Sequence, residues 1–282
     1  MTGDARAVAA GTRTWWSLDN RYLPPLLITC ILLTGHLSFG ILESPVRTGL
    51  AITTAIVAEL ALGRITYGVW VHPASAYITG ISVGILLRSP FLWPYFLCAF
   101  ISILSKYVLR VGDKHLWNPS NLGVSLVLLL APETASLLSV QWGNVVAPMV
   151  IIWLLGSVIV YRVGRFHLSA TYVASFLLFS VVRAAVTGTP WLANVAPITG
   201  PMYQLFIFFM VTDPKTAVGP KWAQCVVVFC VALVEMVLRL NEVVYAPFYA
   251  LCLVGPTALL IEAAVKGARQ PGATRPVAAG TA

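Results

Sequence analysis

Long apolar stretches follow one another along nearly the whole chain, separated by short polar or Gly- and Pro-containing turns. A bilayer-crossing helix needs about 20 mainly apolar residues, because every backbone N–H and C=O must find its partner within the segment. Ten stretches fit: residues 22–42, 48–63, 68–87, 91–109, 118–132, 145–162, 167–186, 196–212, 222–239 and 243–264. The second and fifth are short, which predicts a tilted or re-entrant segment for each. The pattern predicts an all-α integral membrane protein: residues 1–21 form an N-terminal segment, 22–265 a single polytopic domain and 266–282 a disordered tail rich in Pro, Gly and Ala.

Composition excludes a soluble alternative. Only 10% of residues are charged against 59% hydrophobic, and the mean hydropathy is +0.85, far from the quarter charged that soluble domains carry. The partner this implies is the lipid bilayer. The formal charge of +8 does not point to nucleic acid, because Lys and Arg stand singly between apolar stretches instead of forming a basic patch.

Charge instead sets orientation. With the N-terminus in the cytoplasm, fourteen of the 18 basic residues fall on the cytoplasmic side, and Arg47, Arg88, Arg183 and Arg239 alone fall outside. That asymmetry predicts a multi-pass protein of the cell membrane with both termini cytoplasmic. Asp4, Arg6 and Arg13 precede any apolar core, so the N-terminus does not read as a cleavable signal peptide. Trp15, Trp16, Tyr22, Trp93, Tyr95, Trp117, Trp142, Trp191 and Trp222 fall near span ends, as interfacial rings do.

Cys30, Cys98, Cys225, Cys230 and Cys252 lie in apolar stretches without a Cys-x-x-Cys pair, and His36, His72, His115 and His167 show no ligand spacing, so no metal site is expected. Gly80 and Gly84 are spaced to admit another helix backbone. Within the spans, Glu235 and Arg239 are one turn apart and are expected to pair, while Glu59 has Arg64 nearby. The ten spans divide into two fives around residues 132–144, and Ile78-Thr79-Gly80 is echoed by Ile198-Thr199-Gly200.

Three polar runs stand out among the apolar segments. His115-Leu116-Trp117-Asn118-Pro119-Ser120-Asn121 opens the fifth span on the cytoplasmic side, with Asn118 a natural cap and Pro119 suited to a first helical position. Amides beside a helix N-terminus suit a ring bearing donors and acceptors, or a phosphate. Thr212-Asp213-Pro214-Lys215-Thr216 follows the eighth span on the same side, as a ligand run or as a plain cap and turn. Thr187-Gly188-Thr189-Pro190-Trp191 lies on the other side and reads alone as a turn.

Taken in order, these runs carry a resemblance. Thr79-Gly80 at a helix start, Ser89-Pro90 at its end, a Lys106-bearing fourth span, Asn118-Pro119 with Gly123, and then Phe208-Phe209-Met210-Val211-Thr212-Asp213-Pro214 together resemble the NqrB/RnfD family of flavin-bearing membrane subunits, from near Glu59 to near Ala250. The resemblance implies a ten-helix fold of two inverted five-helix repeats, urea-transporter-like in outline, and electron transfer through flavins to a redox partner protein or membrane complex. Riboflavin would sit non-covalently near an Asn-x-x-Asn-Pro run, which here reads His115, Asn118, Pro119.

The family also attaches FMN through the threonine of Ser-Gly-Ala-Thr. Thr187, Gly188 and Thr189 occupy that motif's first positions, but Pro190 stands at the acceptor and Arg183-Ala184-Ala185 replaces the upstream aspartate region. Non-covalent binding is therefore favoured over covalent. The compact chain is similar to the shortened UnbU-type branch, which would imply an accessory role in enediyne biosynthesis. The expected cofactor-contacting residues are His115, Asn118, Pro119, Ser120, Asn121, Thr187, Thr189, Thr212, Asp213, Lys215 and Thr216. A channel or transporter for a small neutral or hydrophobic molecule, a partner-anchoring scaffold and a homo-oligomer are compatible with the same sequence.

Overall fold

The computed structural model describes residues 23–40, 42–138 and 146–268. The N-terminal segment, most of the connection that holds Trp142, and the tail beyond 268 lie outside the described residues. In chain order the elements are α1 (Leu23–Phe39), α2 (Pro45–Tyr67), α3 (Ala74–Leu86), β1 (Leu87–Arg88), α4 (Trp93–Val108), β2 (Arg110–Val111), β3 (Lys114–His115), α5 (Pro119–Leu130) and β4 (Ser136–Leu137). They continue with α6 (Val146–Arg162), α7 (Phe166–Thr187), α8 (Trp191–Val195), a 3-10 turn (Ala196–Thr199), α9 (Pro201–Leu205), a π turn (Phe206–Met210), α10 (Lys221–Leu240) and α11 (Ala246–Ala268).

The protein is mainly helical, and four described helices are long and apolar enough to cross a membrane: Pro45–Tyr67, Phe166–Thr187, Lys221–Leu240 and Ala246–Lys266. Trp191–Thr199 and Pro201–Met210 would make a fifth if this pair, bent by 63°, is one span. The remaining apolar helices are shorter. By length and composition this is a multi-pass membrane protein.

Two expected spans differ from the sequence prediction. The second is not short: α2 runs 23 residues because Pro45 starts it and Gly68, at φ 72, ends it four residues beyond Arg64. Arg64 sits in its last turn, where a cation is tolerated, and does not interrupt it. The eighth is not continuous. Pro201 has no N–H to give a preceding turn, so the helix breaks at an extended Gly200, where the Gln204 side chain donates to the Thr199 carbonyl at 3.1 Å. A bond from Val211 N–H to the Phe206 carbonyl then forms the π turn.

Short ladders satisfy backbone that the helices leave unpaired. β1 pairs antiparallel with β4 at the end of α3, and Leu138 N–H reaches the Leu86 carbonyl at 2.8 Å. β2 and β3 form a hairpin turning at Gly112, whose φ is +59. His115 N–H of this hairpin donates to the Lys215 carbonyl at 3.1 Å, which docks the connection between α4 and α5 onto the loop after the π turn.

Gly80 does what its spacing predicts: a Cβ there would stand 2.5 Å from the Ile52 backbone Cα, so α2 and α3 touch through main chain. Gly80→Val is therefore expected to lose about 1–3 kcal/mol through overpacking. Gly49→Ala, which meets nothing within 4 Å, should be neutral or stabilising. Thermal midpoints of the two variants in detergent check this.

Candidate functional site

Asn118 joins the first two polar runs. Its Oδ1 accepts the Asn121 N–H at 3.0 Å, capping α5, and its Nδ2 donates to Asp213 Oδ2, also at 3.0 Å. One side chain thereby serves as cap and as bridge between residues 95 positions apart.

Above this bridge opens a cavity of about 360 Å³, at the lower end of the range typical of small-molecule sites. Part of the lining is polar: Ser75, Thr79 and Ser82 of α3, Lys106 of α4, His115, Asn118 and Ser120 around the start of α5, and Asp213 with Lys215. The apolar part of the lining comes from Ile78 of α3, Ile159 and Val160 of α6, Val163 just after it, and Phe208, Phe209 and Met210 of the π turn. A flat, amphipathic ring is the shape of ligand such a lining accommodates.

The expected residues divide three ways. His115, Asn118, Pro119, Ser120, Thr212, Asp213 and Lys215 all line this cavity. Thr212 does so with its hydroxyl committed to the Phe208 carbonyl at 2.7 Å, tying down the π turn. Asn121 and Thr216 lie close by but do not line it. Asn121 is 1% exposed and turns its Nδ2 to the Phe248 carbonyl at 3.0 Å, linking α5 to α11. Thr216 borders a separate void of about 40 Å³ between the residues just before α5 and helices α7, α10 and α11. Thr187 and Thr189 are remote: they sit at and just past the end of α7, a helix about 33 Å long that starts near the cavity end. Their hydroxyls bond each other at 2.6 Å, and Asn194 donates to Thr189 at 2.8 Å.

Sequence reasoning missed the floor of the site. Lys106 is only 5% exposed, and its Nζ donates to Glu59 Oε2 at 2.8 Å and to Ser75 Oγ at 3.0 Å. Glu59 thus pairs with Lys106, not Arg64. The signal was a lone lysine in an apolar span, and its partner lies 47 positions away, beyond any helical spacing rule.

Charge at the mouth is set by burial and neighbours. Burial, followed by Lys106, Arg110 and Lys215, lowers the His115 pKa to about 4, so its imidazole is neutral at physiological pH. His115, whose ring borders the cavity, has its Nδ1 buried without a partner. Burial raises the Asp213 pKa, against the opposing effect of hydrogen bonds from the Lys215 N–H and the Asn118 amide.

Among the described residues no group of three His, Cys, Asp or Glu side chains could hold a metal. What the arrangement can do is hold and polarise a ring. No protein-family model matches the chain and no curated protein matches it, so the site stands on its own geometry.

Proposed function

We propose that the chain is a flavin-binding membrane subunit of the NqrB/RnfD-like kind, holding riboflavin or FMN non-covalently and serving electron transfer to a partner. The observation that carries this reading is the Asn118–Asp213 hydrogen bond, which puts both motif runs on one cavity with polar and aromatic side chains in its lining. The fit is supported by the unpartnered His115 Nδ1, the amide of Asn118 and the Phe208–Phe209 wall. A bound flavin would supply the electron-carrying ring. Asn118, His115 and Lys106 would meet its polar edge, while Phe208, Phe209 and Ile159 would cover its faces and exclude water. Covalent attachment at Thr187 or Thr189 does not fit, since those hydroxyls lie outside this cavity and bond one another.

We extend the same reading to architecture: ten membrane elements in two inverted fives, with the cavity end cytoplasmic. Helix pairing supports it, since α2 packs on α4 and α4 on α5, while α7 packs on α10 and α10 on α11. Helix α4 ends at the cavity with Lys106, whereas α10 leaves from the cavity side and ends with Arg239. Where the second half would open a matching cavity, Phe176, Phe179 and Met236 close around Glu235 and leave no room even for water. That packing weighs against a through-conduit.

The protein purified in detergent is expected to be yellow and to release close to one flavin per chain on denaturation, read from its absorption spectrum. A colourless preparation that also fails to bind added riboflavin would overturn the proposal.

A further inference from the structure

The cavity's charge is not evenly placed. Lys106 faces the cavity while Glu59, its partner at 2.8 Å, is not among the lining residues. The pair is an oriented dipole with its positive end toward the ligand space. An ammonium has three N–H donors, and Glu59 and Ser75 take two. The third is left for whatever occupies the cavity.

The other ionisable groups on the wall do not cancel this. Lys215 and Asp213 are of opposite sign, and the His115 imidazole is neutral at physiological pH. Asp213 is engaged by the Asn118 amide and by the Lys215 N–H at 3.0 Å, which hold its oxygens. Ser75 Oγ keeps Lys106 from swinging away, and its 5% exposure keeps water from screening it.

Resting on the reading of this cavity as a ring site, we infer that Lys106 is a positioning residue that gives the site a preference for the anionic over the neutral form of its heterocycle. The ammonium lies nearer the ligand than the carboxylate behind it, so in a medium of low effective dielectric its attraction outweighs the carboxylate's repulsion. For a flavin this is a preference for the reduced ring, which is anionic near neutral pH, over the neutral oxidised ring. Tighter binding of the reduced form raises the bound ring's reduction potential by linkage.

The test titrates the full-length protein with riboflavin, oxidised and chemically reduced, anaerobically and by calorimetry. It compares wild type, Lys106→Arg and the double variant Lys106→Met with Glu59→Gln, which removes both charges together. Wild type is expected to favour reduced riboflavin about tenfold more than the double variant does, with Lys106→Arg staying within about threefold of wild type. Lys106→Gln, neutral but still a donor toward Glu59, supplies the comparison should the double variant not assemble. If wild type binds neither form, the flavin reading itself falls. If it binds both and the ratio does not move when the charge is removed, the site stands and the role of Lys106 is overturned.

Discussion

Asn118→Ala is expected to remove riboflavin binding and to lower stability at once, because one amide holds two structures. Losing the cap to the Asn121 N–H costs about 1 kcal/mol. Leaving the half-buried Asp213 oxygen without its donor costs about 1 kcal/mol more. Affinity should fall at least about tenfold, a change of roughly 1.4 kcal/mol, since the wall loses a donor and the loop after the π turn loses its anchor.

Asn118→Asp separates these effects. Aspartate caps a helix as well as asparagine, but it sets a second carboxylate against Asp213, whose pKa burial already raises. A carboxylate whose folded pKa lies above its unfolded value stabilises below the unfolded pKa, and that contribution is lost as pH rises through the folded one. The Asp variant should therefore be most stable and bind best in acid, where a shared proton restores the bridge, while the Ala variant, in which only the raised Asp213 itself titrates, should gain less on acidification and recover no bridge. Thermal midpoints and riboflavin titrations across pH 5 to 8 distinguish the two. Equal behaviour of both variants at all pH values would mean that the bridge to Asp213 contributes nothing.

How much of this was legible in the sequence follows the range of each interaction. The run from His115 to Ser120 and the Thr212-Asp213-Lys215 run could be read because a cap, a Pro at the first helical position and an Asp-Pro turn are local signals. So could the Glu235–Arg239 pair, one turn apart and bonded at 2.9 Å. What joins the runs could not be read, because the Asn118–Asp213 and Lys106–Glu59 contacts depend on how helices pack, not on spacing along either one. The partner of Asn121 was hidden for a related reason: a buried amide is equally suited to tying helices together, and here it reaches the Phe248 carbonyl of α11. Hydropathy located the four long apolar helices but missed the break in the eighth expected span, where Pro197, Gly200 and Pro201 were visible and the apolar average hid them.

Glu235→Ala is expected to be the most damaging single change in the half of the molecule away from the cavity. Its carboxylate, 1% exposed, accepts from the hydroxyls of Tyr172 and Tyr203 and from Arg239 Nε at 2.9 Å. Arg239 lies over the Phe176 and Tyr203 rings, and Arg183 lies over Phe176 as well, with its own Nε buried and unpartnered. Glu235 thus accepts three hydrogen bonds, from Tyr172, Tyr203 and Arg239, while Arg183 donates to the Asn194 carbonyl. Truncating Glu235 strands the Arg239 charge and two hydroxyls, a loss of about 3–5 kcal/mol. Glu235→Gln keeps the volume and can still accept, so its loss should be about 1–3 kcal/mol. The deciding variant pairs Glu235→Leu with Arg239→Met. Replacing a buried ion pair by apolar residues of similar size is often neutral or better, so the double variant should recover most of what Glu235→Ala loses, as read from thermal midpoints in detergent. A double variant no more stable than Glu235→Ala would mean that the tyrosine hydroxyls, not the stranded charge, make this carboxylate necessary.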